Sequence, residues 1–238
     1  MYPSGDNNTK NPFFDNLYRD RRDIHHDLNA NLYAIVKLPF GFEYQMNFTP
    51  RYHWYEYMNH ESAEHPEWAG DGGRSERKNE KTFNWQVDNI LRWKKEFGED
   101  HRVEATFLQN AEKGQWWKTV AQNKLYSPSD ILGFHNIGAG TAPSVSSEDT
   151  YKTGDALMGR LFYSFKDKYM LTASVRRDGY SAFGSMNPHA VFPAVALGWV
   201  FTSEKFMEKT SDWLNYGKLR FSWGQNGNRD IGQYEALA

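Results

Sequence analysis

Apolar and polar residues alternate along this chain with a period of two. Leu28, Ala30, Leu32, Ala34, Val36 and Leu38 are apolar at every second position. After Pro39-Phe40-Gly41 the pattern resumes with Phe42, Tyr44, Met46 and Phe48. A helix would scatter such residues around its axis, so period two marks strands. The short link between the two runs makes them an antiparallel hairpin. The same alternation returns at Phe83, Trp85, Val87, Leu91 and Trp93, where Asn89 interrupts the apolar face. It returns again at Val103–Phe107, Leu157–Phe165, Tyr169–Val175, Val191–Phe201 and Leu219–Trp223. The pattern predicts about eight strands of roughly ten residues each.

The connections alternate as well. Short links fall at 39–41, 98–100 and 166–168, and long ones at 55–81, 111–153 and 179–190. The 202–215 link is intermediate, with Phe206, Met207, Trp213 and Leu214 at helix-like spacing. Residues 116–126 offer no clean apolar face and are assigned to the long link. Tight turns at one end and long loops at the other are the pattern of an up-and-down outer-membrane barrel. The expected fold is therefore all-β: an antiparallel up-and-down transmembrane β-barrel, with about eight strands in this chain. Counted from Leu28, the short links share the periplasmic side and the long ones the outside. A soluble, secreted carbohydrate-binding β-sandwich is the alternative.

Composition narrows the choice. Aromatic residues make up 16% of the chain although 24% is charged, and disordered chains are poor in aromatics. A net charge of -2 gives no basic face for nucleic acid. The absence of cysteine removes disulfides, thiolate metal sites and a cysteine nucleophile. No apolar run reaches the length of a transmembrane helix. Residues 1–10 lack the basic and apolar regions of a signal peptide, so either the protein is cytoplasmic or the chain is a piece of something longer.

No constellation supports catalysis, a metal or a cofactor. His25 and His26 are adjacent and point to different sides of an extended chain. His53, His60 and His65 are assigned to a long loop. Asp71-Gly72-Gly73 and Asp149 match no calcium cage and are plain turns. Gly138-Ala-Gly140 is too short for a phosphate cradle, and Ser144, Ser146 and Ser147 have no histidine placed as a base. Trp116 and Trp117 sit in a predicted external loop. Exposed aromatics there could stack on a sugar or grip a partner, so they are the ligand-contact candidates.

Three segments carry a family resemblance. Leu171-Thr-Ala-Ser-Val-Arg-Arg-Asp-Gly-Tyr-Ser-Ala-Phe-Gly184 resembles a strand-and-loop signature of SusC/RagA-type TonB-dependent outer-membrane transporters. Phe192-Pro-Ala-Val-Ala-Leu-Gly-Trp199 with Ser203-Glu-Lys-Phe206 resembles the next strand and its turn. Trp213-Leu214, Leu219-Arg-Phe-Ser-Trp-Gly224 and Gly227-Asn-Arg-Asp-Ile-Gly-Gln-Tyr234 resemble the strand after that. The order and spacing are the family's; Tyr180, Ala194, Asn226 and Arg229 depart from its usual residues. The resemblance is specific over 169–234 and looser before, at Asn11-Pro-Phe-Phe14 and the 28–52 hairpin. It implies a barrel of about 22 strands, of which this chain is a middle portion, an open partial barrel of about eight strands over 28–234, preceded by an extracellular loop segment at 1–27. The plug domain and barrel closure would lie elsewhere. It further implies an importer of oligosaccharide or peptide at the cell outer membrane. Such an importer is driven through TonB, contacts outer-membrane lipid, is lidded by a SusD-like lipoprotein, and has no catalytic role.

Overall fold

The computed structural model describes residues 12–65, 67–181, 189–210 and 212–227. A short helix, α1 (Pro12–Tyr18), leads directly into β1 (Arg19–Asn29). The other strands are β2 (Leu32–Lys37), β3 (Phe42–Glu61), β4 (Arg74–Phe97), β5 (His101–Lys124), β6 (Ser144–Phe165), β7 (Tyr169–Tyr180), β8 (His189–Trp199) and β9 (Leu219–Gly224). They form one open sheet in the order β1-β3-β4-β5-β6-β7-β8-β9, with β2 also paired to β3. β1 and β2 together fill the place of the first expected strand. From β3 onward neighbours in sequence are neighbours in space, as meander connections dictate.

The strands are longer than the apolar alternation suggests. β3 runs for 20 residues, β4 and β5 for 24 each, and β6 for 22. The links expected at 55–81 and 111–153 shrink to 62–73 and 125–143. The physical reason is that the outer stretches of β3, β4 and β5 are polar on one face and mixed on the other. They extend the strands while leaving no period-two apolar signal. Residues 116–124 therefore continue β5 and add no extra crossing. β1 begins nine residues earlier than the alternation, in the charged run from Arg19 to Asp27. Residues 182–188 of the third long link and residues 228–234 of the family signature lie outside the described residues.

The chain groups into two compact units. One comprises Met1–Leu28, Arg51–Phe83 and Gln115–Thr150; the other comprises Asn29–Pro50, Asn84–Gly114 and Tyr151–Ala238. Loops 62–73 and 125–143 belong to the first unit. The short turns at 39–41, 98–100 and 166–168 belong to the second.

In the second unit, register assembles single-residue alternation into apolar rows. Tyr163, Leu171, Leu197 and Phe221 lie opposite one another across β6, β7, β8 and β9. The row below is Phe165, Tyr169, Trp199 and Leu219, and the row above is Leu161, Ala173, Val195 and Trp223. The opposite face carries Phe162, Thr172, Ala196 and Ser222, then Arg160, Ser174, Ala194 and Gly224. A one-residue slip would exchange the two faces entirely, so this register is firmly specified. The apolar rows face outward: Leu197 is 52% exposed, Phe221 64% and Trp223 53%. Among the described residues the buried apolar side chains are Phe134, Ala156 and Val200. Among the described residues no second sheet packs on these rows, so they form no sandwich core. Their natural solvent is lipid.

The end of the apolar face is fixed by an aromatic and ionic clasp. The Tyr169 hydroxyl and the Trp199 indole N–H both donate to Glu204, and Lys168 Nζ lies 3.6 Å from the same carboxylate. Hydrogen bonds from Tyr169 and Trp199, helped by Lys168 and opposed by partial burial, hold the Glu204 carboxyl below the usual carboxylate range. Tyrosine and tryptophan with an apolar body and a wet tip suit a membrane interface.

Asn89, which interrupts the apolar face, is the centre of a hydrogen-bonded ladder. The Tyr44 hydroxyl donates to Asn89 Oδ1 at 2.6 Å, and Asn89 Nδ2 donates to Gln109 Oε1 at 2.6 Å. Three strands thus satisfy one another's polar groups on the face that carries Leu91 and Phe107. Removing one member strands the others, at a cost of about 1–3 kcal/mol, whereas removing all three is close to neutral. In the full-length barrel, Asn89→Leu should lower the urea unfolding midpoint. The triple variant Tyr44→Phe/Asn89→Leu/Gln109→Leu should recover most of that loss. A single variant as stable as the parent would contradict the ladder's role.

Candidate functional site

The first unit presents a polar wall built from alternate residues of β1, β3, β4 and β5. Side chains two apart on a strand share a face, so Arg21, Asp23, His25 and Asp27 meet His53, Tyr55 and Tyr57 across the β1–β3 pair. Arg21 Nε donates to Asp23 Oδ2 at 2.8 Å, and the Tyr55 hydroxyl donates to Asp23 Oδ1 at 2.7 Å. His25 stacks on Tyr55 with centroids 4.5 Å apart, and His53 Nδ1 lies 2.7 Å from Asp27 Oδ1. From β4, Lys78 Nζ lies 4.7 Å from the Tyr55 ring centroid and 5.4 Å from that of Tyr57; Arg21 lies 5.3 Å from the Tyr57 centroid. Lys78 also pairs with Glu80 at 3.3 Å, and Glu80 accepts the Trp116 indole N–H from β5 at 3.4 Å. Lys118 Nζ sits 6.0 Å from the Trp116 ring. At the loop end of the wall Arg19 donates to Asn59, Asn59 donates to the buried Glu61, and Gln122 donates to Glu76.

Trp116 and Trp117 are thus placed on a strand and not in a loop. Alternation separates them: Trp116 joins the wall, and Trp117 stands on the opposite face of β5. The histidines separate too. His25 and His53 are on the wall, His26 packs edge-on to Trp54, and His65 stacks on Trp68 beside Asp15 of α1. Among the described residues no cluster of histidine and carboxylate is arranged to hold a metal ion. Ser144, Ser146, Ser147 and Asp149 lie exposed on β6. The wall's other members, Arg21, Asp23, Tyr55, Tyr57, Lys78 and Glu80, carry no motif; the period-two spacing of charged and aromatic residues is the signal that locates them.

The two long loops are pinned to each other behind this wall. Leu125 N–H donates to Asp71 O, Tyr126 N–H to Gly72 O, and Lys124 Nζ reaches the Asp71 carboxylate at 2.9 Å. Asp130 Oδ2 accepts the Ala63 N–H at 2.8 Å and lies 3.6 Å from His60 Nε2, while His60 Nδ1 lies 2.9 Å from Ser75 Oγ. Gly73 (φ 79°) and Gly133 (φ 47°) close around this pin. A Cβ on Gly73 would sit 2.9 Å from Asp130 Oδ2, and one on Gly133 2.7 Å from the His60 ring. The series Ser75, His60, Asp130 has the residue types of a hydrolytic triad. Ser75 is completely enclosed, however, so its oxygen has no room to attack a substrate and serves to orient His60.

Burial alone would raise the Asp130 carboxyl. The Ala63 N–H, the Ser62 hydroxyl and the neighbouring His60 outweigh it and hold the group below the usual carboxylate range. A carboxyl whose folded pKa is depressed stabilises the fold above its unfolded value, near 3.9, and loses that contribution as pH falls through the folded pKa. Hydrogen-exchange protection at the Ala63 amide of the full-length protein should therefore be constant at neutral pH and fall below about pH 4. In Asp130→Asn it should already be low at neutral pH. Equal protection in both proteins at pH 7 would contradict the pin.

The TonB dependent receptor-like, beta-barrel family matches residues 2–236. TonB-dependent receptor P39 of Formosa agariphila is 34% identical over 158 residues, covering 66% of this chain and 15% of that protein. TonB-dependent receptor SusC of Bacteroides thetaiotaomicron is 33% identical over 124 residues, covering 51% of this chain and 11% of that protein. Among solved structures, one described as the RagAB peptide transporter superposes with a TM-score of 0.85 at 21% identity, over 94% of this chain and 25% of its own. The chain thus spans only a small part of the relatives it matches, and that part is barrel. By the extent of the family match and the sheet it forms, the chain belongs to the TonB-dependent receptor β-barrel family.

Proposed function

We propose that this chain forms part of the translocation barrel of an outer-membrane nutrient importer, energised through TonB. Oligosaccharide or peptide is its cargo, and a SusD-like lipoprotein is its outer partner. One observation carries the reading most directly: a family barrel sheet with apolar rows on one face and polar, small or charged residues on the other. Such a sheet is at home where one face meets lipid and the other meets water. The likeness to SusC and to the RagAB fold supports the importer class. A transporter of this kind needs bound solute and a driving force and no chemistry on the solute, consistent with the enclosed Ser75. The wall of β1, β3, β4 and β5 is the surface that solute meets, with Trp116 among its contacts. Trp117, on the opposite face, is the weaker ligand-contact candidate. Loops 62–73 and 125–143, with α1, lie outside the cell, while residues 19–27, expected as loop, belong to strand β1; the turns at 39–41, 98–100 and 166–168 and the 200–218 link lie in the periplasm.

Sidedness is testable because the chain has no native cysteine. Glu64→Cys and Ser146→Cys in the full-length protein should react with an impermeant maleimide on intact cells. Glu99→Cys and Lys205→Cys should react only after the outer membrane is opened. All four parent residues are exposed, so access and not burial decides the result. Labelling of Glu99→Cys on intact cells would reverse the topology, and cytosolic fractionation of the protein would remove the importer reading.

A further inference from the structure

We infer that the wall of β1, β3, β4 and β5 receives a charged, peptide-like solute and not a neutral oligosaccharide; the inference rests on the importer reading above and narrows its cargo. A neutral sugar ring is held chiefly by a bare aromatic face that meets its C–H groups, with uncharged hydrogen bonds around the rim. The rings of this wall are not bare. Tyr55 has His25 stacked on it at 4.5 Å and Lys78 at 4.7 Å from its centroid. Tyr57 has Arg21 at 5.3 Å and Lys78 at 5.4 Å. Trp116 has Lys118 at 6.0 Å, and its indole N–H is committed to Glu80. A sugar stacking on an occupied face of these rings would have to displace a cation or a histidine from it, losing the cation–π attraction.

The charged groups are suited to the opposite kind of guest. Arg21 and Asp23 keep side-chain exposures of 51% and 34%, and Lys78 and Glu80 keep 24% and 23%. Both pairs keep contact with water, and the more exposed Arg21–Asp23 pair contributes little to stability. Both signs recur on β1, as Arg21 and Asp23, and on β4, as Lys78 and Glu80. A peptide brings an ammonium, a carboxylate and charged side chains that can replace the internal partners one for one. As the bound solute excludes water, those interactions strengthen. A neutral glycan offers nothing to exchange and would leave desolvated charges without a better partner.

The experiment uses the immobilised full-length protein, isolated from outer membranes in detergent, and two probes at equal mass. One probe is a tryptic digest of casein; the other is a mixture of neutral malto- and xylo-oligosaccharides. Retained material is quantified by mass spectrometry. Peptides should be enriched about tenfold or more over oligosaccharides. Lys78→Met, which keeps the stem and removes the charge, should cut peptide retention several-fold, as should Arg21→Gln at a more exposed position. A heat-modifiable band on gels verifies that each variant is a folded barrel. Preferential retention of oligosaccharides, retention of neither probe, or peptide retention indifferent to both variants overturns the inference. If the protein is in the outer membrane but prefers oligosaccharides, only the cargo assignment falls. If it is not in the outer membrane, the importer reading falls and takes the inference with it.

Discussion

A backbone in lipid has no water to bond with, and that constraint organises everything else in this structure. Each peptide N–H and C=O in the membrane must find its partner on a neighbouring strand, because an unsatisfied group there costs several kcal/mol. Sequential pairing from β3 to β9, with β1 and β2 both on β3, meets the demand without a crossover. Side chains are then free to specialise by face. The rows Tyr163-Leu171-Leu197-Phe221 and Phe165-Tyr169-Trp199-Leu219 show the result: four strands each contribute one apolar side chain at matching register. A soluble protein would hide these rows against a second layer. Here they stand exposed, and the burial of apolar side chains contributes little among the described residues.

The polar half of the design follows from the same alternation. Once one face is given to lipid, every second residue is released for water. The first unit uses that freedom for ion pairs, cation–π contacts and the Asp130 pin, all built from side chains that would be out of place in a compact core. The Tyr44-Asn89-Gln109 ladder is the exception that tests the rule. It places polar groups among apolar ones and remains tolerable because the three side chains satisfy one another across adjacent strands.

How much of this is legible in the sequence depends on which side chains carry the signal. β7 and β8 are plain, since Leu171, Ala173, Val175, Val195 and Leu197 fall at strict alternate positions with small or polar residues between them. The outer parts of β3 and β5 are not, because His53, Tyr55, Tyr57 and Asn59 on one face alternate with Trp54, Glu56 and Met58 on the other, and hydropathy does not separate them. That is why Trp116 and Trp117 read as loop residues and prove to be strand residues facing opposite ways. The Asp130 pin is invisible for a different reason: His60 on β3 and Ser75 on β4 are joined by Asp130 from a loop whose course no local pattern encodes. The break of the apolar face at Asn89 is visible, but its partners Tyr44 and Gln109 emerge only from the register of three strands.

The most direct test of the account is the solvent seen by consecutive residues of one strand. Nitroxide labels placed singly at Leu171, Thr172, Ala173 and Ser174 of the full-length protein in lipid vesicles report collisions with oxygen, which concentrates in lipid, and with a water-soluble nickel chelate. The account predicts strict alternation: oxygen access at Leu171 and Ala173, nickel access or shielding by protein at Thr172 and Ser174. Equal nickel access at all four positions would mean that the apolar rows face water, and would contradict the lipid-facing barrel.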